Sequence, residues 1–269
     1  MASAMVRGVG AQRRAFSFFR IAWTLASREL RGRYRGSWLG FLWTFVEPLV
    51  LAFIFFFIFV KVFDQHYPLY LLYLLSGMLP FFFLQNSVVK ATGSLLAFST
   101  LIRQIFCPRE VFVMVGILSE LYHFVFSLFV LAPFYLYYGV APGWRIVFVL
   151  PAIALIATLA YGLGLFLASL NVFVRDTRFF IGLVFRMWFY LTPIFYTIER
   201  FREMSPTAFF LYNLNPLVPL SGLFRWSLLP AEPLPDPVFL GIMLLEVAIA
   251  LVAGVWYFSR NDNTAVKML

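Results

Sequence analysis

The chain has 269 residues, of which 62% are hydrophobic, 20% aromatic and only 12% charged. Soluble domains carry about 25% charged residues, so an ordinary water-facing surface is excluded, and 35 Phe with a mean hydropathy of +0.88 point to an integral membrane protein. A net charge of +9 would suggest nucleic acid in a soluble chain; beside membrane spans it is read instead by position.

Residues 1–37 hold eight arginines, with Glu29 the one acid among them. In RRAFSFFRIAWTLASRELRGRYRG, Phe18, Ile21, Leu25 and, at the margin, Trp23 share a face, while Arg14, Arg28 and Arg31 can reach headgroups. This pattern predicts an amphipathic helix lying along the membrane. Arginines interrupt any apolar stretch short enough for a cleavable signal, so the first span is expected to direct insertion.

Six spans are predicted, each near the roughly twenty residues a helix needs to cross: Trp38–Val60, Leu69–Val89, Val111–Tyr137, Ile146–Leu170, Phe179–Ile198 and Val238–Phe258. The connection ATGSLLAFSTLIRQIFCPRE is amphipathic and broken at Pro108, which predicts a short helix offered to a cytoplasmic partner. The segment 199–237 contains LYNLNPLVPLSGLFRWSLLP, too apolar for a solvated loop and interrupted by Pro216 and Pro219. Half-inserted helices fit it better than a seventh span.

The expected fold is an all-α polytopic membrane protein. It has a cytoplasmic tail and interfacial helix (1–37), a six-helix transmembrane domain (38–258) with an inner coupling region (92–110) and an outer re-entrant region (199–237), and a cytoplasmic tail (259–269). With both termini inside, fifteen of the 21 Lys and Arg fall on the inner side and Arg186 falls within a span. That bias supports the orientation.

Catalytic patterns are scarce: HExxH, paired cysteines, GxSxG and GxxxxGK[ST] are all absent. His66 and His123 fall in different regions, and a single cysteine, Cys107, allows no intrachain disulfide. Glu47, Glu120, Glu246 and Arg186 lie in spans, where they either pair between helices or line a polar path. His123 beside Glu120 is a proton relay or a local hydrogen bond. The aromatic clusters at Phe53–Phe59, Phe81–Phe83 and Trp188–Tyr196 serve packing and lipid contact, with a subset offering flat faces to sugar rings.

The segments ASRELRGRYRGSWLGFLWTFVEPL, LIRQIFCPRE, NVFVRD, WFYLTPIFY and NLNPLVPLSGLFRWSLL follow one another over nearly the whole chain. Together they resemble the membrane permease of bacterial polysaccharide ABC exporters, the ABC-2 type group that exports O-antigen, teichoic acid and related glycans. The resemblance implies a multi-pass protein of the bacterial inner membrane, working as a homodimer with two separate cytoplasmic ATPase subunits. ATP and Mg would be bound by those subunits, with no cofactor and no catalytic or metal site in this chain. The cargo implied is an undecaprenyl-diphosphate-linked glycan moving through membrane lipid; nucleic acid is not a partner.

Carried onto this sequence, the resemblance gives a substrate entrance at Arg28, Arg33 and Arg35. It gives ATPase coupling to Arg103, Arg109, Glu110, Arg175 and Asp176. A passage or gate would be formed by Trp188, Phe195, Tyr196, Asn215, Pro216 and Pro219. Arginines at the entrance suit phosphate because their planar fork binds it bidentately. Two other readings are an ABC-2 exporter of another lipid or drug, and a membrane-embedded glycan enzyme.

Overall fold

The computed structural model describes residues 18–32, 36–63, 69–104, 107–198, 202–203 and 205–268. Arg33, Arg35 and His66 lie outside the described residues. The described chain is helical: α1 covers residues 18–32, α2 Gly40–Val62 and α3 Tyr70–Ala97, and α4 Ser99–Gln104. Next come α5 Glu110–Tyr138 and α6 Trp144–Phe173, α7 Thr177–Tyr190, α8 Pro206–Asn213, α9 Leu217–Leu228 and α10 Pro237–Met268.

Among the described residues, five helices are long and apolar enough to cross a membrane: α2, α3, α5, α6 and the Pro237–Asp262 part of α10. The chain is therefore an all-α polytopic membrane protein. α3 is the central post, enclosed by α2, α5, α6, α7 and α9. Within α5 the helix tightens to a 3-10 turn at Leu128–Val130, just ahead of Pro133, which has no N–H to give the Phe129 carbonyl. Gly139, at φ 65°, then closes α5: its N–H and that of Val140 cap the Leu136 and Tyr135 carbonyls, a turn that favours glycine.

The predicted span Phe179–Ile198 is built differently. α7 has 14 residues, about 21 Å at 1.5 Å each, less than a hydrocarbon core of roughly 30 Å. The helix stops because Pro193 cannot donate to the Phe189 carbonyl and disfavours helical backbone at Thr192; residues 191–198 are irregular. The segment nonetheless runs beside most of α3. The Arg178 guanidinium lies against Gly93 near the Ala97 end, and the Phe195 and Tyr196 carbonyls meet the Tyr70 and Tyr73 hydroxyls at the other.

α1 packs on the start of α5 through Ala22 and Ala26 against Val111 and Val115, with Phe18, Ile21 and Leu25 completing the contact. Trp23 is not part of this face and is 59% exposed, since two residues along a helix turn a side chain by about 200° away from Ile21 and Leu25. The α6–α10 contact is the most extensive in the protein, and it is made backbone to backbone at Gly162 and Gly254.

Candidate functional site

A polar cleft starts where α1 meets the Ala97 end of α3. The Lys90 ammonium lies 2.7 Å from Glu29 Oε1 on α1 and 3.1 Å from Glu120 Oε1 on α5, and it donates to Ser119 Oγ. One cation thus ties three helices together. A cavity of about 580 Å³ opens beside it, lined by Glu29, Gly32, Asn86, Lys90, Glu120 and Arg178. A second, of about 240 Å³, shares Asn86 and Glu120 and continues between α2, α3 and α5 past Glu47, Gln85, His123 and Ser127. Its other wall is aromatic, including Trp43, Phe82 and Phe83. Polar groups at this depth are costly and seldom gather without a polar route to line.

Replacing Lys90 with Met removes the shared cation from Glu29 and Glu120, both largely shielded from water. The expected cost is about 1–3 kcal/mol, with hydrogen exchange of α1 rising as it loosens from α3. Lys90→Arg, which keeps the charge, should retain most of the stability. Unchanged exchange in Lys90→Met would mean that the Ala22–Val115 packing alone holds α1.

A second polar cluster forms at the Tyr70 end of α3, around the irregular segment after α7. Three successive carbonyls there each accept from a side chain: Ile194 from Arg225 Nη2 (3.0 Å), Phe195 from the Tyr70 hydroxyl (2.8 Å) and Tyr196 from the Tyr73 hydroxyl (2.9 Å). Non-helical backbone within a membrane protein needs such partners because lipid offers none. Arg225 is 3% exposed, and its guanidinium stacks 3.6 Å from the Tyr73 ring centre. A side chain at Gly77 would collide with that guanidinium, so glycine there leaves it room.

Asn215 joins this segment to the start of α9. Its Oδ1 accepts from Trp188 Nε1 (2.8 Å) and from the Leu217 N–H (3.1 Å), while its Nδ2 donates to the Leu191 carbonyl (3.2 Å). Tyr196 and Tyr212 share a 2.6 Å hydroxyl bond, and the Phe195 ring stacks on Phe55 and Phe59 of α2 at 5.5 and 5.2 Å. Four of the predicted gate residues, Trp188, Phe195, Tyr196 and Asn215, therefore meet in one place. Pro216 precedes α9 and Pro219 is buried within it.

The other predicted residues are more scattered. Arg28 is exposed on α1, Arg103 on α4, and Arg175 and Asp176 on the turn between α6 and α7. Arg109 is not a free surface group: it forms an ion pair with Asp262 of α10 and donates to that residue's carbonyl (3.3 Å). Glu110 is half-buried at the start of α5. Beside them burial pushes the Cys107 thiol up, against the opposing pull of Arg109, which leaves it a sluggish nucleophile. Sequence reasoning missed Lys90, Tyr70, Tyr73 and Arg225 as organising residues; the available signal was a lone cation in each of two otherwise uncharged helices.

Comparison with known proteins agrees with this architecture. The family described as ABC-2 type transporter matches residues 21–229. The O-antigen export system permease protein RfbA of Myxococcus xanthus is 30% identical over 90% of this chain and 93% of its own. A protein of the same name from Klebsiella pneumoniae is 30% identical over 84% of this chain and 88% of its own, and another from that organism is 27% identical over 91% and 93%.

Proposed function

The chain belongs to the ABC-2 type transporter family, and we propose that it is the inner-membrane permease of an exporter for a lipid-linked polysaccharide of the O-antigen or teichoic-acid kind. Similarity to O-antigen export permeases over most of both chains supports this reading. The observation that carries it is the cleft running from Lys90 to Ser127 between α2, α3 and α5, polar on one wall and aromatic on the other. Such a lining suits a polyhydroxylated chain with an anionic head, whose hydroxyls bond to Asn86, Gln85 and Glu47 while ring faces slide on phenylalanine. Contacts of this kind hold each sugar weakly, as a moving polymer requires.

In this reading the α1 side is cytoplasmic, and α7 with its irregular continuation makes the sixth crossing, bringing both termini inside. An undecaprenyl-diphosphate head enters near Arg28, Arg33 and Arg35. A second copy of the chain completes the passage against the apolar outer faces of α2 and α7, where Phe53, Phe57, Phe179 and Phe180 are exposed. Two separate ATPase subunits, holding ATP and Mg, press on the exposed Arg103, Arg175 and Asp176. Through the Arg109–Asp262 pair, movement of that surface reaches α10.

The test is ATP hydrolysis by the co-purified permease and ATPase in nanodiscs, with and without undecaprenyl-diphosphate glycans. Glycolipid should stimulate hydrolysis several-fold, and Arg103→Glu with Arg175→Glu should abolish the response. Stimulation by an unrelated lipid or drug alone would replace this reading with the other exporter class. If no ATPase associates, the reading fails.

A further inference from the structure

We propose that a pocket between α8, α9 and the start of α10 binds one neutral pyranose unit of the emerging glycan, an inference that rests on the export reading above. The cavity measures about 180 Å³ and shares no lining residue with the cleft. At roughly 30 Å³ per water, it has room for about six waters, enough for a single ring and too little for a chain.

The wall chemistry selects the ligand class. Among the described residues two cations, Arg202 and Arg225, and two carboxylates, Glu232 and Asp236, line the pocket. A phosphate would meet the carboxylates and an amine would meet the guanidinium groups, whereas an uncharged polyol can donate to the carboxylates and accept from the guanidinium groups. Arg225 gives this wall a fixed charge: it is 3% exposed and its Nη2 is committed to the Ile194 carbonyl.

The apolar part of the pocket suits the C–H face of a sugar. Phe209 and Phe239 meet edge to face, with centroids 5.7 Å apart, and the Arg202 guanidinium lies 4.8 Å from the Phe209 centre. The cavity is also formed in advance. Ser205 and Asp236 cap α8 and α10, and the proline-rich connection packs so tightly that a side chain on Gly222 would come 2.8 Å from Pro235. A weak site at the exit, filled by one sugar at a time, would retain each advancing unit outside and bias movement outward without anchoring the polymer.

Saturation-transfer NMR on the full permease–ATPase complex in nanodiscs tests this with neutral methyl glycosides of mannose, galactose and rhamnose. Transfer to ring C–H protons is expected with millimolar affinity, weakened at least fivefold in Arg202→Gln and in Gly222→Val. Arg202→Gln should keep the wild-type unfolding temperature, so that its loss reports the site and not the fold. No transfer from any glycoside, in a complex whose hydrolysis responds to glycolipid, would overturn the pocket and leave the export reading standing. Competition by inorganic phosphate, or equal transfer in wild type and Arg202→Gln, would overturn it as well. Transfer lost in Arg202→Gln, in a complex indifferent to every glycolipid, would support the pocket while the export reading fell.

Discussion

In the proposed exporter, Arg225→Ala should lose glycolipid-stimulated ATP hydrolysis by at least tenfold and unfold well below the wild-type temperature. The side chain stands where α7 has stopped being a helix and the backbone must find other donors. Its bond to the Ile194 carbonyl, made by a charged group, contributes about 1.5–3 kcal/mol, and stacking on a desolvated Tyr73 ring adds up to about 2 kcal/mol. Alanine forfeits both and leaves a void beside Gly77. Arg225→Lys should recover at most half of the loss, because a point ammonium cannot lie flat on the ring while reaching the carbonyl. Tyr73→Phe removes the bond to the Tyr196 carbonyl and should cost about 1 kcal/mol. Thermal unfolding of the complex, alongside hydrolysis, separates these cases. Wild-type behaviour of Arg225→Ala would show that the segment from Leu191 to Tyr196 holds its shape without it.

How much of this could be read from the sequence depends on how local the cause is. Five of the six span positions were legible because length and apolarity are properties of one segment, and the amphipathic face of α1 because Ile21, Leu25 and Phe18 recur at helical spacing. Even there Trp23 shows the limit, since a two-residue offset puts it on the far side. Pro193 was visible in the predicted span Phe179–Ile198, but its consequence, a helix ending at Tyr190, needed the side-chain donors that let the backbone stay irregular. Glu47 stood out as a lone ionisable group within a span, and Glu120 with His123 as a pair one turn apart. That they line one cleft with Asn86 follows from how α2, α3 and α5 pack, which no periodicity contains. Lys90 meets Glu29 and Glu120 across 61 and 30 residues of sequence. Arg225 was harder still. An arginine in the last turn of a short helix ordinarily snorkels to water, and its burial exists because Tyr73 and Gly77 receive it.

Gly254→Val is expected to leave little folded protein, the largest effect of any single change considered for this chain. A Cβ on Gly254 would collide with the Gly162 carbonyl oxygen and lie 3.0 Å from its Cα, and one on Gly162 would lie 2.6 Å from the Ala250 backbone. These obstacles are main chain, so no rotamer change can clear them and α6 and α10 must separate. Helices in lipid associate through close packing, because the tails around them are as apolar as the interface. Separation therefore forfeits most of what joins α10 to the bundle, beyond the roughly 1–3 kcal/mol usual for overpacking a core. Gly254→Ala tests the gradation, with reduced yield and a lower unfolding temperature expected. Paired with Gly162→Ala, its cost should depart from additivity, as the two positions share one contact. The disturbance also reaches the side that the export proposal assigns to coupling: Asp262 lies eight residues further along α10, about 12 Å at 1.5 Å per residue, and holds Arg109. Surviving Gly254→Ala protein should thus bind the ATPase of the proposed exporter yet transmit hydrolysis poorly, whereas full activity would place coupling elsewhere than α10.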